Sequence, residues 1–334
     1  MTASTRRFMI TAAAAAATAP LLLRAGPAAA QAASGYPSRP VRLIVPFPPG
    51  QAADIFARLM ADELSKRWPQ RVVVENRSGG AGALGMEAGA RAAPDGYTLL
   101  IGTSGTLGVN PSVMPHLPYD AERDFAAITN IFTLPLVLVA HPGTGPEDLR
   151  GMLARAREKP GALNYASAGP GTAQHMAMEM LAHRAGVRMT HVPYRGSGPA
   201  MADLIAGNVP LMMDSLASAL PQVQAGRARA LAVTSRARAP QLPAVTTVAE
   251  AGLEGYEALG WSGLVAPAAT PPEILARINA DAVAILRDPA VSARMLELGG
   301  FPAPGTPEEF GGFIRGEIAK WRQVAREANV RLEG

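Results

Sequence analysis

The sequence of 334 residues contains no cysteine. That absence excludes disulfide bonds, thiolate-bound zinc, iron–sulfur clusters and a cysteine nucleophile together. Lysine is scarce, with only Lys66, Lys159 and Lys320. None of them completes a G-x-x-x-x-G-K-[ST] phosphate loop, and no H-E-x-x-H occurs. His175, His183 and His191 stand eight residues apart, so no two share a helical turn as adjacent metal ligands. Neither a metal nor an organic cofactor is expected. After residue 30 no apolar run is long enough to cross a bilayer. Charged residues make up 17% of the chain and form no basic block, which argues against nucleic acid as a partner.

What is present begins with a segment unlike the rest. Arg6 and Arg7 precede Phe8-Met9-Ile10, an alanine-rich run and Leu21-Leu22-Leu23. Ala28-Ala29-Ala30 then offers a small-residue cleavage site before Gln31. This is the order of an export signal, and Thr5-Arg6-Arg7-x-Met9-Ile10 reads as its twin-arginine form. Arg24 interrupts the apolar stretch, which is weak for a span of about 20 residues. Cleavage near Ala30-Gln31 would place the mature chain in the periplasm. Losing Arg6, Arg7 and Arg24 lowers the formal net charge from +4 to +1. The mature protein is expected to be soluble and monomeric.

Apolar strands alternate with helical patterns from residue 41 onward. Strands are predicted at 41–45, 72–74 and 97–101. Helices are predicted at 54–67 and from the glycine loop at 78–82 to about residue 92. This β-α-β-α-β order favours a mostly parallel sheet flanked by helices. A second run follows, with strands at 136–139, 164–166, 190–192, 209–213 and 230–234 and helices at 146–158, 171–184 and 199–205. A strand at 261–266 returns, and two helices close the chain. In the last, Phe310, Phe313, Ile314, Ile318, Trp321 and Val324 recur at helical spacing and read as core. The expected fold is α/β, in two domains. Residues 36–136 plus 260–334 form the first and 137–259 the second, with a hinge near 135 and 260 and a ligand cleft between them.

Glycine-rich turns connect these strands to the helices that follow them. Pro46-Phe47-Pro48-Pro49-Gly50, Ala168-Gly169-Pro170-Gly171-Thr172 and Tyr194-Arg195-Gly196-Ser197-Gly198-Pro199 are of this kind. Each leaves free N–H groups at a helix start beyond the carboxyl end of a strand, a site suited to a carboxylate or phosphate. Turns between strand and helix need glycine and proline in any case. Gly80-Ala81-Gly82-Ala83-Leu84-Gly85 matches the dinucleotide pattern G-x-G-x-x-G, but residues 75–79 separate it from its strand where a tight turn is required. Asp54 can cap its own helix. Asp214 ends an apolar run at the cleft, and Arg195 can pair with a carboxylate. A competing reading is a hydrolase that pairs Ser104 or Ser167 with His175.

At these loops the sequence resembles a known family. Tyr36-Pro37-Ser38-Arg39-Pro40, Val74-Glu75-Asn76-Arg77, Pro94-Asp95-Gly96-Tyr97-Thr98-Leu99, His191-Val192-Pro193-Tyr194-Arg195-Gly196 and Thr306-Pro307-Glu308-Glu309-Phe310 carry the resemblance, which spans 36–334. The family is that of the tripartite tricarboxylate transporter receptors, the Bug-type extracytoplasmic solute-binding proteins. It implies a two-domain periplasmic-binding-protein fold of type II that closes on a small carboxylate without catalysis. It implies delivery to two membrane components, and a sensor protein is the other partner considered. Carried over, the binding positions are Phe47, Gly50, Asp54, Gly80, Ser104, Ser167, Gly169, Gly171, Thr172, His175, Arg195, Gly196 and Asp214. Gln51 and Ala53 are counted with them as departures, because the family usually has further glycine and then threonine there.

Overall fold

The computed structural model describes residues 35–331. The export-signal reading of residues 1–30 and its cleavage site lie outside the described residues. The first strand, β1 (Val41–Val45), runs parallel to both β2 (Val72–Asn76) and β3 (Thr98–Thr103). Apart from the partly buried Arg42 it is apolar rather than alternating, because both of its faces are covered. Helix α1 (Ala52–Arg67) buries Phe56, Ala57, Met60 and Leu64 on one stripe. It stops where Trp68 turns extended ahead of Pro69. A 3-10 turn (Gly80–Gly82) leads into α2 (Ala83–Ala90). The dinucleotide-like glycines belong to this junction. A Cβ on Gly85 would lie 2.7 Å from Arg77 O and 2.9 Å from Pro46 Cα, so α2 packs against the β1 and β2 ends only with glycine there.

Strand β3 runs into a π-helical turn (Ser104–Val109) continuous with α3 (Asn110–Val113). Thr103 and Thr106 cap it reciprocally, each side chain meeting the other's N–H. The glycine-rich sequence hides this helix from propensity reading. Strand β4 (Phe125–Ala140) is also longer than expected, at 16 residues. Only 136–139 was legible, because Thr129, Asn130 and Pro135 interrupt the apolar pattern. Pro135 stands where β4 changes partners. Before it β4 pairs antiparallel with β9 (Leu259–Pro267); after it β4 pairs with β7 (Leu211–Ser215) and β8 (Arg229–Val233). Two register shifts break the β4–β9 ladder.

The helix α4 (Leu149–Glu158) leads to β5 (Asn164–Ser167), α5 (Ala173–Ala185), β6 (Thr190–Pro193) and α6 (Ser197–Ile205). Helix α7 (Leu216–Gln224) follows β7. The sheet path is β2-β1-β3-β9-β4-β7-β5-β6. The expected parallel sheet is found in the outer trios, β2-β1-β3 and β6-β5-β7, while the ladders at the centre are antiparallel. The fold is therefore α/β with a mixed sheet.

Three helices close the chain rather than two: α8 (Pro272–Leu286), α9 (Pro289–Glu297) and α10 (Pro307–Glu327). Asp288 ends α8's run and caps α9 through the N–H groups of Ala290 and Val291. The two-residue strand β10 (Phe301–Pro302) pairs with β4 between α9 and α10. On α10 the expected apolar stripe is buried except Phe313, which is 37% exposed and edges against Trp261. Glu317 beneath it accepts from the indole N–H of both Trp261 and Trp321.

The chain passes between the two halves of the sheet at β4 and again before β9, and Thr234 ties these crossings together. Its Oγ1 accepts from Leu136 N at 2.8 Å and lies 2.5 Å from Ala258 O. Its backbone N–H donates to Leu136 O and its carbonyl accepts from Ala258 N.

Candidate functional site

Two cavities lie end to end beyond the carboxyl ends of β1, β3, β5 and β7. The inner one is a chamber of about 50 Å³. Its floor is the place where β4 and β9 cross, with Phe132, Leu134, Leu136, Trp261 and Ser262 facing it. Its walls are helix starts. Ala52 and Ala53 open α1, Ser104 and Gly105 open the π-helical turn, and Ala173 and Gln174 open α5. The first two N–H groups of a helix have no intrahelical acceptor. At the second and third starts the cap serves the next residue instead: Thr103 accepts from Thr106 N and Thr172 from His175 N. Three helix starts, each with two N–H groups that have no intrahelical acceptor, therefore border one small space. Each helix end carries roughly half a positive charge. No charged side chain lines the chamber.

The outer cavity is a mouth of about 450 Å³ between the 78–82 loop, the 168–172 loop and the Arg195-Gly196 turn. Arg195 is exposed and is the one charged side chain on its lining. Phe47, Gln51 and Thr172 line both cavities.

The expected site residues divide accordingly. Phe47, Gln51, Ala53, Ser104 and Thr172 face the chamber. Gly80, Gly169, Arg195 and Gly196 face the mouth, with Phe47, Gln51 and Thr172 again. Gly50, Asp54, Ser167, Gly171, His175 and Asp214 line neither, and their contacts show why. Asp54 is buried, and both its oxygens are taken: Gly50 N at 3.0 Å, Asn76 Nδ2 at 2.8 Å and a two-point contact with Arg58. Burial alone would raise its pKa. The hydrogen bonds from Arg58, Asn76 and Gly50 outweigh that and hold the carboxyl below its ordinary value. Asn76 Nδ2 also donates to Phe47 O at 2.9 Å, so this cluster fixes the Phe47 loop.

Behind the 168–172 loop lies a stack of rings. His175 lies on His191 with centroids 4.1 Å apart, and His191 lies on Tyr165 at 5.0 Å. His175 Nδ1 accepts from Gly171 N at 3.4 Å. Burial, and then the neighbouring His191, push His175 down to about 3; burial pushes His191 down to about 4. Ser167 pairs with His191 Nε2 at 2.7 Å, not with His175, and is fully buried. Ser104 carries no histidine partner among the described residues. Neither serine thus forms the pair that the hydrolase reading required.

Asp214 is fully buried. Its Oδ1 accepts from Ser197 Oγ at 2.6 Å and from Ser215 N at 2.8 Å. Its Oδ2 has no hydrogen-bond partner, although the Gln174 amide lies close enough to favour its charged form. Burial dominates and pushes the carboxyl up to about 6.

Sequence reasoning missed Thr103, Ser215, Trp261, Ser262 and His191. Trp261 and Ser262 sit in a strand whose crossing under the cleft only the topology reveals. Thr103 caps a π-helical turn that propensity reading does not find. No group of three or more His, Asp or Glu capable of holding a metal occurs among the described residues. No described helix is long and apolar enough to cross a membrane.

Known proteins resemble this chain over most of its length. Protein BugT of Bordetella pertussis is 37% identical over 310 residues, covering 92% of this chain and 95% of that protein. A Rhodopseudomonas palustris protein solved with adipate superposes with a TM-score of 0.86 at 35% identity, over 89% of this chain and 99% of its own. MatC from the same organism, solved with bound malate, gives 0.82 at 33%, over 86% and 99%. Residues 56–330 match the tripartite tricarboxylate transporter family receptor, and the chain belongs to that family.

Proposed function

We propose that this protein is an extracytoplasmic receptor that holds the carboxylate of a small organic acid in the inner chamber. The carrying observation is the convergence of three helix starts on a space without a charged side chain. Three half-charges from helix ends suffice for one carboxylate, and N–H donors that are already fixed need no reorganisation. The adipate and malate bound to the two Rhodopseudomonas proteins support a carboxylate as ligand. The reading assigns no catalysis. It assigns export to residues 1–30 and delivery of the ligand to membrane components or a sensor.

In the same reading 36–136 plus 260–334 move as one lobe and 137–259 as the other, bending at the crossings that Thr234 joins. Contacts across the cleft support a closed form here. A Cβ on Gly105 would lie 3.3 Å from Gly171 O, and one on Gly196 3.0 Å from Gln51 Nε2.

A thermal-shift screen of the protein from Gln31 onward tests the proposal. Small acids are compared with their amides. A ligand at a hundred times its Kd should stabilise by about 2.7 kcal/mol. An acid that stabilises while its amide does not supports the reading; no shift with any acid overturns it.

A further inference from the structure

Gln51 is placed unlike any other polar side chain of the cleft. It stands at the N-cap of α1, yet its side chain makes no cap hydrogen bond. It is 7% exposed, and its Nε2 is buried without a hydrogen-bond partner. The carboxamide instead crosses the cleft to Gly196. A Cβ there would come within 3.0 Å of Nε2, and φ at Gly196 is +114°, a backbone conformation that favours glycine. Together with Phe47 and Thr172, Gln51 stands at the boundary between the chamber and the mouth and lines both.

The chamber behind this wall is small. At ~10–15 Å³ for each water position, about 50 Å³ holds roughly four waters, or an acid of about four to six non-hydrogen atoms. The helix starts account for one carboxylate. An unpaired buried N–H is costly unless something supplies an acceptor. The remaining atoms of the ligand are in a position to do so.

We infer that Gln51 determines the specificity of the site: its carboxamide limits ligand length and donates to an oxygen on the ligand beyond its carboxylate. The class it selects is short hydroxy- or oxo-acids of about three carbons. This inference rests on the carboxylate-receptor reading and narrows it.

Calorimetric titration with lactate, propionate and hexanoate tests it, using the wild type, Gln51→Leu and Gln51→Gly. Neither substitution removes a cap hydrogen bond from α1, because the Gln51 side chain makes none, and glycine is favourable at an N-cap. The wild type should bind lactate at least fivefold tighter than propionate, and propionate at least tenfold tighter than hexanoate. Gln51→Leu keeps the wall and loses the donor. It should bring lactate and propionate within twofold while still rejecting hexanoate. Gln51→Gly removes both, and hexanoate should gain at least tenfold relative to propionate. Wild-type preferences retained by Gln51→Gly, or a lactate preference retained by Gln51→Leu, overturn the inference and leave the receptor reading standing. Failure of the wild type to bind lactate overturns the inference, and the acid screen described above decides the receptor reading separately.

Discussion

His175 and His191 stack with their ring planes 18° apart, one behind the other under the 168–172 loop. Both pKa values lie below the ordinary 6.5, so the unfolded chain takes up protons that the native state refuses. Their contribution is complete above pH 6.5 and is lost as pH falls from 6.5 towards 4 and 3. Each site gives a slope of about 1.4 kcal/mol per pH unit within that window. Replacing His191 by Phe keeps an aromatic ring in the stack and removes one titration. Urea unfolding between pH 4.5 and 7 should show a shallower loss of stability in His191→Phe. An unchanged slope would mean that the rings titrate normally in the folded protein.

Asp214 acts in the opposite direction. Its folded pKa of about 6 lies above the ordinary 3.8, so the native state holds the proton longer. Stability from this group therefore falls as pH rises from about 4 to 6 and stays reduced above that. Asp214→Asn removes the penalty while retaining an oxygen for Ser197 and Ser215 N. The variant's stability relative to wild type should rise between pH 4.5 and 7.5. A difference independent of pH would show that the carboxyl is already ionised at the lower pH.

Asp54 is a loop anchor, which separates its effect from that of a residue touching ligand. Asp54→Ala leaves Gly50 N and Asn76 Nδ2 without their carboxylate acceptor. The cost should be about 1–3 kcal/mol in chemical unfolding. Release of the Phe47 loop should also weaken acid binding at least tenfold. Undiminished affinity in a destabilised variant would detach the loop from recognition.

How much of this was legible in sequence depended on the kind of signal. Short strands bounded by turns, such as Val41–Val45 and Asn164–Ser167, showed themselves by composition. The loops that lead into α1 and α5 did too, because glycine and proline mark them. The chamber floor did not. Trp261 and Leu134 are 127 residues apart in sequence and share one cavity only because β4 and β9 pair antiparallel under the cleft. Nor could sequence tell a residue that faces ligand from one behind it. Asp54 and Ala53 are neighbours on one helix turn, yet Ala53 lines the chamber and Asp54 holds the loop.

Thr234 offers a test of the proposed hinge. Thr234→Val preserves shape and removes the hydroxyl that serves Leu136 N. That orphaned donor should lower stability by about 1–3 kcal/mol. Small-angle scattering with and without an acid that binds would report the lobes. The variant should be more expanded than wild type without acid and should compact less with it. Identical scattering from the two proteins would show that the crossings bend independently of this hydroxyl.

In the proposed site the donors that would meet a carboxylate belong to the main chain, and that affects how the protein can change over generations. A side-chain substitution cannot delete an N–H at Ala53, Gly105 or Gln174; only proline can. The capacity to seize an acid's head is inherited with the fold itself. Taste for the tail sits in replaceable side chains such as Gln51 and Phe47. Copies of such a gene can therefore diverge towards new acids by single substitutions at the rim, with the gripping end conserved by geometry alone.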